Sequence, residues 1–131
     1  MPLSLDAVDA WMLRVAAGDQ DAFSLLYDAT APVLSALIGR SAVDEIEQVF
    51  LRLWREAPCA GRRSCAFTWM LAVAREVHRG SGVSPWSRGD ELTVLATVGR
   101  LGYADLARAT GLSRAAVLGE LRRALSYRAG R

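Results

Sequence analysis

The chain has 131 residues, 52% of them apolar and 23% charged, with a formal net charge of +2. That content supports one ordinary folded unit or two very small ones and excludes wholesale disorder. No apolar run approaches the roughly 20 residues of a membrane span and the N-terminus is acidic where a signal peptide is basic, so the expectation is a cytoplasmic protein without membrane insertion. The charge is uneven: Met1 to Glu47 holds two Arg against eight acidic residues, whereas Gln48 to Arg131 holds fourteen Arg against six acidic residues. The second part can therefore face phosphate.

In chain order, Val8, Trp11, Met12, Val15 and Ala16 recur at helical spacing from Leu5 to Ala17, and Gly18 ends that helix. A second helix starts near Asp19, where acidic residues suit its positive end, and Pro32 is expected to interrupt or restart it before the apolar turn Val33 to Ile38. A third begins near Ser41 and stops by Pro58, with Ile46, Val49, Phe50, Leu53 and Trp54 on one side and Asp44, Glu45, Glu47, Arg52 and Arg55 mostly opposite.

The following loop carries Cys59 and Cys65, which read as two ordinary thiols more readily than as a redox switch; with His78 they are too few for a zinc site. Neither a metal nor another cofactor is expected. A strongly apolar helix then spans about Ala66 to Arg79. Its His78 is expected at the surface or partly packed, since no nucleophile or ligand set accompanies it.

GSGVSPWSRG, residues 80–89, has the Gly, Ser and Pro content of a flexible join, so the expected domains are 1–79 and 90–131 with 80–89 as linker. Beyond it, helices are expected over Asp90 to Val98, Tyr103 to Thr110 and about Arg114 to Tyr127. YADLARATGLSRAAVLGELRRAL has a short helix, Gly111 where a left-handed turn residue is needed, and Ser113 as N-cap of a second helix. This is a helix-turn-helix pattern, in which Arg114, Ala115, Leu118 and Arg122 face outward and Leu106, Ala107, Leu112, Val117 and Leu121 pack inward. A plain helical hairpin with a basic surface would show much of the same pattern. The expected fold class is all-α, two small helical domains of which the second is a helix-turn-helix. An enzyme is not expected, because no phosphate-binding Gly loop, nucleophile–base pair or metal set is present.

Taken in order, these segments resemble a shortened and divergent extracytoplasmic-function sigma factor of bacterial RNA polymerase. GDQDAFSLLYDATAP is similar to the opening helix of that family and DEIEQVFLRLWREAP to its polymerase-binding helix. FTWMLAVARE is similar to the helix that handles the downstream promoter element, and ELTVLATVGRLGYADLARATGLSRAAVLGELRRAL to the upstream-element domain.

The resemblance implies transcription initiation with core RNA polymerase and promoter DNA as partners, and an anti-sigma factor as a further one. It places Asp44, Glu47, Gln48, Phe50, Leu51 and Trp54 at the polymerase, although Phe50, Leu53 and Trp54 are also what a plain core shows. It places Arg62, Arg63, Phe67, Trp69, Arg75 and Arg79 at the melted strand, where Arg holds phosphate and aromatic faces catch bases, with Trp69 more readily read as core. On duplex DNA it places Ser113, Arg114, Ala115, Leu118, Arg122 and Arg123. Leu118 and Glu120 stand where relatives are commonly basic or polar, and Gly80 ends the promoter-reading helix early. These departures keep two alternatives open: a sigma-like decoy or adaptor that does not open promoters, and an independent helix-turn-helix regulator.

Overall fold

The computed structural model describes residues 3–39, 43–59, 65–82 and 86–129. Within them the protein is all-α, with seven helices and no strand. Helix α1 (Leu5–Ala16) starts where the Ser4 hydroxyl accepts the Ala7 N–H at 3.2 Å, and Gly18 at φ 88° turns the chain out of it. A left-handed residue there is readily supplied by glycine.

Asp19 then caps α2 (Gln20–Ile38), accepting the Ala22 N–H at 3.1 Å while Arg14 Nε donates to its other oxygen at 2.8 Å. Contrary to the sequence expectation, Pro32 neither interrupts nor restarts this helix. Pro32 and Asp28 are both exposed, so water can reach the carbonyl that proline leaves without a donor. Burial of Leu26 on one side of the proline and of Val33 and Leu34 on the other outweighs the cost of roughly 3 kcal/mol for an internal proline.

By length and composition α2 is the one described helix apolar enough to cross a membrane, a test that the core helix of a folded protein also passes. Helix α2 lies against α1 and against the helices that follow, with Ala22, Leu26 and Leu34 fully buried.

Helix α3 (Val43–Glu56) buries Ile46, Val49, Phe50 and Leu53 and passes through a 3₁₀ turn at Ala57–Cys59. Helix α4 (Ala66–Gly80) is the most enclosed, burying Ala66, Phe67, Trp69, Met70, Leu71, Val73, Ala74 and His78. Helices α5 (Arg88–Thr97), α6 (Tyr103–Thr110) and α7 (Arg114–Ala129) pack on one another, and α5 and α6 also rest on α2 and α4.

The segment expected as a linker contains the last residue of α4, the buried Trp86, and Ser87, whose hydroxyl caps α5 by accepting the Asp90 N–H at 3.1 Å. Leu92, Leu95, Leu106 and Val117 of the last three helices join one apolar core with Val8, Leu26, Phe67 and Met70. Between α5 and α6 a Cβ on Gly99 would sit 2.8 Å from the Leu95 carbonyl oxygen, so the turn admits only glycine there. The next residue, Arg100, holds φ 55°, a left-handed conformation that L side chains adopt at a cost.

Candidate functional site

Three regions carry the residues singled out in the sequence. On α3, Asp44, Glu47, Gln48 and Leu51 are all exposed and recur at i, i+3, i+4 and i+7, which places them along one stripe. Leu51 is 63% exposed, an apolar side chain directly beside acidic neighbours. It also lines a shallow groove with Gln48, Arg52, Arg55 and Val77.

Phe50 and Trp54 are turned the other way. Phe50 is 3% exposed and meets Phe23 and Tyr27, at ring-centroid distances of 6.1 and 4.6 Å, and Trp54 leans on Phe23 at 5.1 Å. The Arg52 guanidinium ties α3 to α4, donating to Glu76 at 2.6 Å and to Glu56 at 2.7 Å. The carboxylates of Glu76 and then Glu56 hold Arg52 in its charged form beyond the ordinary arginine range.

The second group of residues belongs to α4 and the segment before it. Arg62 and Arg63 lie outside the described residues. Phe67 is 0% exposed and Trp69 9%, so in this conformation neither ring offers its face to a base. Arg75 Nη2 donates to Glu91 Oε1 at 2.9 Å, and its guanidinium stands 5.4 Å from the centroid of the Trp86 ring. Glu91 is itself 2% exposed and also accepts from Trp86 Nε1 at 3.3 Å and from Arg88 at 3.2 Å. Arg79 is exposed at the end of α4.

His78, expected at the surface or partly packed, is buried. It is 7% exposed, its Nδ1 lies 2.9 Å from Glu45 Oε2, and its ring faces Trp86 at 5.6 Å. Burial so far from water is satisfied by a carboxylate that a single-helix pattern could not assign to it.

The third surface is α6 and α7. Gly111 takes φ 77° and donates its N–H to the Ala107 carbonyl at 2.8 Å, and the Ser113 hydroxyl accepts the Ala116 N–H at 3.1 Å. Buried Leu106, Ala109 and Val117 hold the two helices together. Ser113, Arg114, Ala115 and Arg122 are exposed, and Leu118 is half-buried. Arg123 sits on a different side, paired with Glu120 at 3.3 Å beside the start of α5, where Ala124 closes on Gly89. The arrangement is a helix-turn-helix with an open outer face on its second helix.

A polar seam that the sequence pattern did not reveal joins the third surface to α1, at the opposite end of the chain, and to the start of α4. Arg108 of α6 donates one guanidinium nitrogen to Asp6 at 2.7 Å and the other to Asp9. The second oxygen of Asp9 accepts the Ala66 N–H at 2.7 Å, at the start of α4. The Thr68 hydroxyl reaches the carbonyls of Ala109 and Arg108 at 2.8 and 3.3 Å. Asp6 first, with Asp9 and Cys65 adding, keeps Arg108 in its charged form beyond the ordinary arginine range. Among the described residues no group of His, Cys, Asp or Glu is placed to hold a metal, and Cys59 and Cys65 are free thiols, the first exposed and the second buried.

No protein-family model matches the chain, and no curated protein matches it. Among solved structures it is similar to CnrH, determined in complex with the cytosolic domain of CnrY, with a TM-score of 0.70 at 18% identity over 92% of this chain and 93% of that one. CnrH is an extracytoplasmic-function sigma factor, and the chain shares that type of fold along nearly its whole length.

Proposed function

We propose that this chain is a promoter-specificity subunit of bacterial RNA polymerase, acting in the cytoplasm, with residues 1–79 docking on the polymerase and residues 90–131 holding upstream duplex DNA. The observation that carries the reading is the likeness to CnrH across both parts of the chain, since a fold match confined to the helix-turn-helix would fit any DNA-binding regulator. Two physical features support it. The α3 stripe sets the exposed Leu51 beside Asp44 and Glu47, a combination in which rim charges steer encounter with a basic coiled coil and an apolar anchor adds affinity. The exposed Arg114, Ala115 and Arg122 of α7 suit a major groove, with Arg114 at the end that reaches base edges first. Phe50 and Trp54 support the α3 surface from behind. CnrH is solved with the cytosolic domain of CnrY, and by analogy an anti-sigma protein is a proposed partner here.

A second reading, a sigma-like decoy or adaptor, is favoured by the burial of Phe67 and by Glu120 neutralising Arg123. One experiment separates the two. The purified protein is mixed with core polymerase of its own host, and co-migration is measured together with run-off transcription from a genomic fragment library. Co-migration with discrete new transcripts, both reduced by Asp44→Ala with Glu47→Ala, is the expected result. Co-migration without transcripts makes the protein a decoy or adaptor, and no co-migration leaves an independent regulator.

A further inference from the structure

We propose that Asp6, Asp9, Thr68 and Arg108 form an autoinhibitory clasp in cis, which holds the helix-turn-helix against the first four helices and must release before both parts of the chain engage their targets together. The regulatory meaning rests on the function proposed above; the restraint itself rests on geometry.

Asp9 is committed twice, with one oxygen sealing the first turn of α4 and the other taking Arg108. Arg108 is therefore held by the same side chain that fixes the start of α4. Thr68, in the first turn of α4, donates to carbonyls at the end of α6 that the helix itself leaves without a donor. A backbone bond from Leu3 N–H to the Gly99 carbonyl at 3.0 Å closes the same edge beside the α5–α6 turn. Arg108 lies about a hundred residues from Asp6 and Asp9 in the chain, so these contacts tie its first helix to its sixth.

The seam is built to yield. Asp6 is 88% exposed, Arg108 35% and Asp9 29%, so water, salt and competing anions reach it, in contrast to the enclosed Glu91 crossing between Arg75 and α5. It also covers the start of α4, the helix that the family resemblance places at the opened strand.

Cys65 reports on the seam directly, because its thiol is 4% exposed immediately before the Ala66 N–H that Asp9 caps. The test uses the full chain with Cys59→Ser, a soluble aromatic disulfide as thiol reagent, and the rate at which Cys65 is modified. Asp9→Asn keeps an oxygen for the Ala66 N–H and removes the charge facing Arg108; Arg108→Gln removes the other partner. Arg108→Gln, which also gives up the pair with Asp6, speeds modification about fivefold and Asp9→Asn by no more than that, and the double variant is no faster than Arg108→Gln alone, because the Asp9 charge acts on the seam through Arg108. Raising salt from about 0.05 M to about 0.5 M speeds the reaction in the parent and leaves the double variant unchanged.

Rates unaltered by both single substitutions, or multiplying in the double, overturn the clasp. Run-off transcription with core polymerase tests its consequence: Asp9→Asn yields several-fold more transcript than the parent, and an equal or lower yield overturns autoinhibition. Faster Cys65 modification with no transcript from either protein overturns the promoter-specificity reading instead, while the restraint on the helix-turn-helix stands.

Discussion

Removing Arg75 destabilises the fold more than removing the carboxylate it serves. Glu91 is 2% exposed, whereas its partners Arg75 and Arg88 are 29% and 43% exposed. Arg75→Met keeps the aliphatic stem but leaves an enclosed carboxylate with only the longer 3.2 Å contact to Arg88 and the Trp86 N–H. An undercompensated buried charge costs about 3 kcal/mol, and losing the guanidinium over the Trp86 ring adds about 0.5 kcal/mol. Glu91→Leu, in contrast, frees two guanidinium groups that already touch water, and leucine fills much of the vacated space. Its cost is about 1 kcal/mol, mainly from the lost bonds and from a carboxylate missing in the first turn of α5. Urea unfolding of the two variants, followed by circular dichroism with slopes compared, measures the difference. A Glu91→Leu variant less stable than Arg75→Met would refute the reasoning, since it would mean that the arginines and not the carboxylate bear the desolvation.

Arg100→Gly should raise the melting temperature by about 2 °C, because the relief of left-handed strain slightly exceeds the chain entropy that glycine adds; a lower melting point would show that φ 55° carries no strain. The backbone N–H of Ala22, with Arg14 beside it, pulls the Asp19 carboxyl below its ordinary 3.8. A depressed carboxyl stabilises the fold above its unfolded-state value and loses that contribution as pH falls through the folded-state value. The stability gap between the parent and Asp19→Asn should thus be constant above pH ~5 and shrink below pH ~4, as read by urea titration at each pH. Leu51→Ala, at a 63% exposed position, should leave unfolding stability within about 0.5 kcal/mol yet weaken co-migration with core polymerase. Phe67→Ala should cost about 3–5 kcal/mol by emptying a fully buried site, and a cost below 1 kcal/mol would contradict its place in the core.

What the sequence made legible is what short-range chemistry dictates. Helix α6 spans Tyr103–Thr110 as its pattern predicts, since Gly111 and Ser113 stop one helix and start the next by means of their own backbone and hydroxyl. The exposed stripe Asp44, Glu47, Gln48 and Leu51 follows equally from helical period. Pro32 misled because local preference was weighed without the apolar burial that runs across it. Phe67, Trp69 and Arg75 invite a nucleic-acid reading as residue types, but α4 is enclosed by α1, α2, α3 and α6, and Arg75 is engaged by Glu91 and Trp86, none of which a window on α4 contains. Asp9 and Arg108 were opaque for the same reason: nothing in the identity of either names a partner at the other end of the chain.

Helix α7 has only Val117 fully withdrawn from solvent among its described side chains, while α4 is enclosed on nearly every side. Substitutions along the outer positions Arg114, Ala115 and Arg122 therefore fall where most changes alter stability by no more than about 0.5 kcal/mol. Mutational tolerance is concentrated on the one helix whose outer face would decide what is recognised, and is scarce on the helix that anchors the core. Under the proposed function, a lineage carrying this fold would drift in specificity through α7 without passing through unfolded intermediates, a freedom that follows from the way the helix is mounted.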